Sequence, residues 1–160
     1  MKLRAALTLT LLTALALLGI APSASSHCEI PCGIYNDSMR YDMMNEDIAT
    51  IEKSMNSIVE LSSASGEKNY NQIVRWVNNK DEHADKLMEI VTQYFLTQRI
   101  KPVTPDAGEA YNDYVQHLTY FHEMLVYAMK CKQTLDKANV EKLKELVTAS
   151  KELYFKGHQH

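Results

Sequence analysis

Residues 27–36 read His27-Cys28-Glu29-Ile30-Pro31-Cys32-Gly33-Ile34-Tyr35-Asn36, the one stretch whose residue types and spacing suit metal chemistry. If the chain begins at His27, that residue carries a free α-amine beside its imidazole. Cys28 adds a thiolate and a backbone amide nitrogen, and Cys32 adds a second thiolate four residues later. Pro31 fixes φ and Gly33 tolerates unusual φ, so this short segment can turn back on itself as a hook. The donors are sulfur and nitrogen with no hard oxygen, which disfavours magnesium or calcium and favours a softer transition metal. An amine, a deprotonated amide and two thiolates make a planar N2S2 set suited to a d8 ion such as Ni(II). Zinc prefers tetrahedral ligation and rarely takes a backbone amide. Copper binds strongly but tends to oxidise thiolates. Anionic thiolate and amidate donors stabilise Ni(III), and the His27 imidazole can then serve as an axial fifth ligand.

Two other readings of the same residues remain open. In an exported protein Cys28 and Cys32 can form a disulfide that pins a structural helical bundle. A free His-Cys N-terminus can also carry nickel or copper without turnover. Superoxide consumption, or a two-hydrogen mass deficit without any metal requirement, separates these readings.

The free N-terminus depends on what precedes it. Lys2 and Arg4 are followed by an apolar run from Ala5 to Ile20 and a small-residue tail, Ala21-Pro22-Ser23-Ala24-Ser25-Ser26. This is the pattern of a secretory signal peptide, residues 1–26, with Ala24 and Ser26 at −3 and −1 of the cut. The apolar run is short for a membrane span of ~20 residues, so no membrane anchor is expected after cleavage. Bulky His27 before Cys28 argues against a lipid anchor. The expected location is exported, periplasmic or extracellular. The leader lacks a twin arginine, which points to unfolded export and nickel loading outside the cytoplasm.

Of 160 residues, 17 are Lys or Arg and 20 are Asp or Glu. The leader holds two of the bases and no acid, so the remaining 134 residues carry a net charge near −5. No basic patch is evident, and nucleic acid is not an expected partner. The third cysteine, Cys131, reads as a partly buried spare thiol between Lys130 and Lys132. His117 and His122 stand five apart, poor spacing for one metal on a helix. No Glu-x-x-His pair supports a di-iron centre. Trp76 reads as packing, and His158 and His160 as idle tail residues.

The elements that must carry the hook are helical. A first helix is expected from Asp37 or Ser38 as cap, with Met44, Ile48, Ile51, Met55 and Ile58 on one face. A second, over about 69–98, buries Ile73, Val77, Ala84, Leu87, Val91 and Tyr94. After the break at Lys101-Pro102-Val103-Thr104-Pro105, a third is capped by Thr104 with Pro105 at its first position. It buries Tyr111, Val115, Leu118, Phe121, Leu125 and Ala128. A fourth, over about 134–155, buries Leu135, Leu143, Leu146 and Leu153. Four amphipathic helices with short links predict an all-α, antiparallel up-and-down four-helix bundle over 37–156, with a loose tail at 157–160.

His27-Cys28-x-x-Pro31-Cys32-Gly33-x-Tyr35 matches, residue for residue, the N-terminal hook of the nickel superoxide dismutases. The chain resembles that family in its leader, length and helical layout as well. The resemblance implies a four-helix bundle assembled as a homohexamer, with one nickel per subunit and superoxide as substrate. The implied reaction is disproportionation to dioxygen and hydrogen peroxide by Ni(II)/Ni(III) cycling. It implies that His27 binds through its amine and, when oxidised, its imidazole; Cys28 through thiolate and amide; and Cys32 through thiolate. Pro31 shapes the turn, and Tyr35 stands at the mouth of the site. In the family an early glutamate orients the axial imidazole, often supported by an arginine. The nearest matches here are Asp42 and His83, both departures from the pattern. A maturation peptidase or a nickel chaperone would act on such a precursor.

Overall fold

The computed structural model describes residues 33–63 and 66–156. Regular structure among them is entirely helical: α1 Asp37–Ser62, α2 Glu67–Glu89, a π-wound continuation Ile90–Arg99, a 3-10 turn Pro105–Ala107, α3 Glu109–Gln133 and α4 Ala138–Phe155. The four-helix architecture expected from periodicity is present. The expected leader, hook residues 27–32 and the 157–160 tail lie outside the described residues.

The α1 stripe is buried as expected: Met44, Ile48, Ile51, Met55 and Ile58, joined by Tyr41. Its cap is Asn36 rather than Asp37 or Ser38. Asn36 Oδ1 accepts from the Met39 amide at 3.0 Å, satisfying one of the donors a helix start leaves unpaired. Asp37 is freed to use its side chain elsewhere.

In α2, Ala84 and Leu87 are buried, as are Val91 and Tyr94 beyond it, but Ile73 and Val77 are only half-buried. The helix does not end as a regular α-helix. The Ile100 amide reaches the Phe95 carbonyl at 2.8 Å, a five-residue step characteristic of π winding. The side chains of Thr97 and Gln98 make the same step, to the carbonyls of Thr92 (2.7 Å) and Gln93 (2.9 Å). Residues five apart, which on an α-helix differ by about 140°, are thereby brought closer to one face.

Three expectations for the later helices are corrected. Pro105 opens a 3-10 turn, and α3 begins after Gly108, whose φ of 64° suits glycine. The buried face of α3 is Phe121, Met124, Ala128 and Cys131, while Val115 and Leu118 are exposed. Apolar residues surround much of α3, so period alone could not choose the core side. α4 starts at Ala138, with Asp136 Oδ1 accepting from the Ala138 amide at 3.0 Å. Leu135 is therefore outside the helix and exposed. The core side of α4 is Val140, Leu143, Leu146, Val147 and Tyr154, with Leu153 half-buried.

Side-chain pairs give the helix directions. Tyr41 meets Ser150, while Glu52 meets Lys144, so α1 and α4 run antiparallel. Phe95 stacks on Phe121, while Lys80 reaches Cys131, so α2 and α3 do as well. α1 packs on α2 and α4, and α3 packs on the same two, the ring of neighbours of an up-and-down bundle. Tyr41, Phe95, Phe121 and Tyr154 form an aromatic layer at the end from which α1 starts. Truncating Phe121, which is fully buried, removes part of that layer and should cost about 3–5 kcal/mol.

Candidate metal centre

The described chain opens at Gly33, which adopts φ +74°, and Ile34 beyond it is exposed. A side chain at Gly33 would be strained in that conformation. Tyr35 follows, half-exposed. Its ring lies over the Arg99 guanidinium, 4.2 Å from carbon to ring centre, and meets the edge of Tyr94 at 6.0 Å.

Asp37 draws these groups together. Its carboxylate accepts from Arg99 Nε at 2.9 Å and from the Arg99 terminal nitrogen at 2.6 Å, a two-point guanidinium pair. It also accepts from Tyr94 Oη at 2.5 Å and Tyr154 Oη at 2.9 Å. Burial pushes the Asp37 carboxyl up, but bonds from Arg99, Tyr94 and Tyr154 outweigh it and hold it below the ordinary range. Burial and the carboxylate bond push the phenols of Tyr94 and Tyr154 up to about 12, so both keep their protons at neutral pH. One carboxylate thus ties the start of α1 to the π segment and to the end of α4. The π winding makes this possible, because Tyr94 and Arg99 are five apart and both reach Asp37. Residue type and spacing single out neither Asp37 nor Arg99 for this role. The only available signal was that both flank predicted helix ends.

Arg40 lies across the other tyrosine, its guanidinium carbon 4.7 Å from the Tyr94 ring centre. Its remaining polar contact is a long one to Met43 Sδ, 3.7 Å, and its buried Nε has no hydrogen-bond partner among the described residues.

Asp42 and His83 are not brought together. Asp42 is exposed and pairs with Lys151 of α4 at 3.2 Å. His83 Nδ1 pairs instead with Asp47 at 2.7 Å. Burial raises the Asp47 carboxyl despite that partner. Asp47 lies on the same α1 face as the core stripe, one position before Ile48, and the signal that could have found it is an acid on that apolar face.

Cys131 is fully buried rather than partly so, and burial pushes its thiol up to about 11, a packed and inert group. His117 stacks on Phe121 and meets Tyr154 edge-on, while His122 is exposed. Trp76 is half-buried beneath Lys53. Among the described residues no group of three His, Cys, Asp or Glu is placed to hold a metal.

The ligand set read from the sequence, His27, Cys28 and Cys32, lies outside the described residues. Its donor chemistry fits nickel: two thiolates and an imidazole nitrogen, in a segment that leads into a glycine with positive φ and a tyrosine held on an arginine. No curated protein and no solved structure matches the chain. The family model of the nickel-containing superoxide dismutases matches residues 22–158, a span that takes in His27, Cys28 and Cys32 together with all four helices. The chain therefore belongs to the nickel-containing superoxide dismutases, oxidoreductases that act on superoxide with a nickel cofactor.

Proposed function

We propose that the working site is the hook that follows cleavage after Ser26, with His27, Cys28 and Cys32 as its nickel ligands. The observation that carries this reading is the motif His27-Cys28-x-x-Pro31-Cys32-Gly33-x-Tyr35, lying inside the span that matches the family. The α-amine and imidazole of His27, the thiolate and amide nitrogen of Cys28 and the thiolate of Cys32 would hold the ion. When bound, nickel supplies a one-electron Ni(II)/Ni(III) couple that draws an electron from one superoxide and returns it to another. Two superoxide ions and two protons thereby give one dioxygen and one hydrogen peroxide.

Pro31 and Gly33 shape the turn. The Tyr35 hydroxyl offers a hydrogen bond to the small anion and is one of three candidate proton sources, the others being water and a protonated thiolate. Its ring is kept in place by Arg99. By resemblance, Asp42 orients the His27 imidazole with His83 in support, although within the bundle each has another partner. Asp42→Ala tests that role through the nickel spectrum, and an unchanged spectrum and rate would remove it. The protein acts as an exported homohexamer, periplasmic or extracellular, with no membrane anchor once the leader is cut. A peptidase exposes His27, and loading is direct or through a nickel chaperone.

The decisive experiment uses residues 27–160 with a true His27 N-terminus, reconstituted with Ni(II), beside the same chain carrying one extra N-terminal alanine. Superoxide removal by the first and its loss in the second is the expected result. Equal activity in both takes the α-amine out of the ligand set.

A further inference from the structure

The cluster between Tyr35 and Arg99 holds one carboxylate and two guanidiniums. Asp37 is fully engaged with Arg99, so their charges cancel. Both phenols that bond Asp37 remain neutral, which leaves Arg40 as a surplus positive charge. Arg40 has no carboxylate partner among the described residues. Its neighbours are the face of Tyr94 and the Met43 sulfur, and its buried Nε lacks an acceptor. Among the described residues the terminal nitrogens have only the weak sulfur acceptor of Met43, so the guanidinium keeps donors to offer an anion. The chain as a whole is acidic, with a formal net charge of −3 before any cleavage, and so repels an anionic substrate overall. Tyr94 touches Tyr35 edge-on. Tyr35 stands three residues beyond Cys32, and three residues span at most about 11 Å of chain.

We propose that Arg40 is an anion-docking residue, its uncompensated guanidinium on the Tyr94 face drawing superoxide toward the segment that leads out of the hook. This rests on the hook being the working site. The ligand chemistry is that of a small monovalent anion: one or two acceptor oxygens of superoxide meet the terminal guanidinium nitrogens, whose one contact among the described residues is the Met43 sulfur at 3.7 Å. A local positive charge accelerates the encounter of an anion with its site, and salt screens the effect.

The test compares the full mature nickel protein with its Arg40→Gln and Arg40→Lys variants. Arg40→Gln should lower kcat/KM by roughly threefold to tenfold at low salt, leave kcat and nickel content unchanged, and converge with the parent near 1 M salt, where the screening length is about 3 Å. Arg40→Lys should retain most of the low-salt rate. Chloride line broadening by NMR, with the same proteins, supplies a readout independent of turnover. The parent should broaden the signal beyond what Arg40→Gln does, in both apo and nickel forms. Identical salt dependence and identical chloride broadening in parent and Arg40→Gln would overturn the proposal. A nickel-loaded parent that does not consume superoxide would sink the hook reading instead, and the chloride comparison would still decide whether Arg40 holds an anion.

Discussion

The two ends of the bundle each hold a charge, Lys80 buried and Asp37 half-buried, and they satisfy it in different ways. Toward the end distant from Asp37, Lys80 is almost completely buried, and its ammonium donates to the carbonyls of Cys131 and Lys132 at 2.7 and 2.6 Å and to Asp81 at 2.8 Å. Those carbonyls are among the acceptors that the end of α3 leaves unpaired, so Lys80 acts as a cap supplied by another helix. At the near end, Asp37 accepts from side chains of the π segment and of α4. The first arrangement finishes a helix. The second fixes the point, five residues after Cys32, at which the chain enters the bundle. A buried charge needs hydrogen bonds in either place, but only at the near end do they hold the segment that continues into the proposed metal site.

Removing each charge should separate the two roles. Asp37→Ala leaves Arg99, Tyr94 and Tyr154 without their acceptor and, for a half-buried carboxylate with four hydrogen bonds, should cost about 2–3 kcal/mol in urea unfolding. Nickel affinity of the mature chain should fall with it, because Tyr35 and its approach lose their anchor. Lys80→Met replaces a buried ammonium with an apolar chain and abandons carbonyls at the end of α3. The expected loss is about 1–3 kcal/mol, with superoxide removal per bound nickel unchanged. A parallel loss of activity per nickel in Lys80→Met would show that the ends are not separable.

Acid offers a way to sharpen the same contrast. The folded Asp37 carboxyl lies below its ordinary 3.8, so at acid pH the unfolded chain takes up the proton first. Its stabilisation is complete above about pH 4 and is lost as pH falls through the lower, folded value. Asp37→Asn should flatten the acid limb of stability against pH, and Lys80→Met should leave that limb as it is. The smallest effect belongs to Tyr35. Tyr35→Leu gives up the ring on Arg99 and should destabilise by about 0.5–1 kcal/mol. Tyr35→Phe keeps the ring and should stay within about 0.5 kcal/mol, so a fall in its superoxide rate would report on the hydroxyl alone.

Much of the helical layout was readable because periodicity reports directly on burial. The α1 stripe is an instance: apolar residues recur at helical spacing on one face and only singly elsewhere, so Met44 through Ile58 could be assigned to the core without coordinates. α3 shows where that logic stops. Its apolar residues cover much of its circumference, and the core took Met124 and Cys131 while leaving Val115 and Leu118 outside. The π segment was also illegible, since one added residue per turn leaves no compositional mark. The same is true of the cap, where Asn36, Asp37 and Ser38 are all competent side chains and the geometry selected Asn36.

What the sequence determined by itself is local. The order of soft donors from His27 to Cys32, the glycine that can take positive φ and the apolar period of the helices are properties of neighbouring residues, legible from type and spacing. Only the tertiary structure decided that Asp37 should bind Arg99, Tyr94 and Tyr154, that His83 should pair with Asp47, and that Arg40 should meet no carboxylate among the described residues. Those contacts join residues 36 to 117 positions apart. They depend on helix register and on the π winding, which packing sets and side-chain identity alone does not.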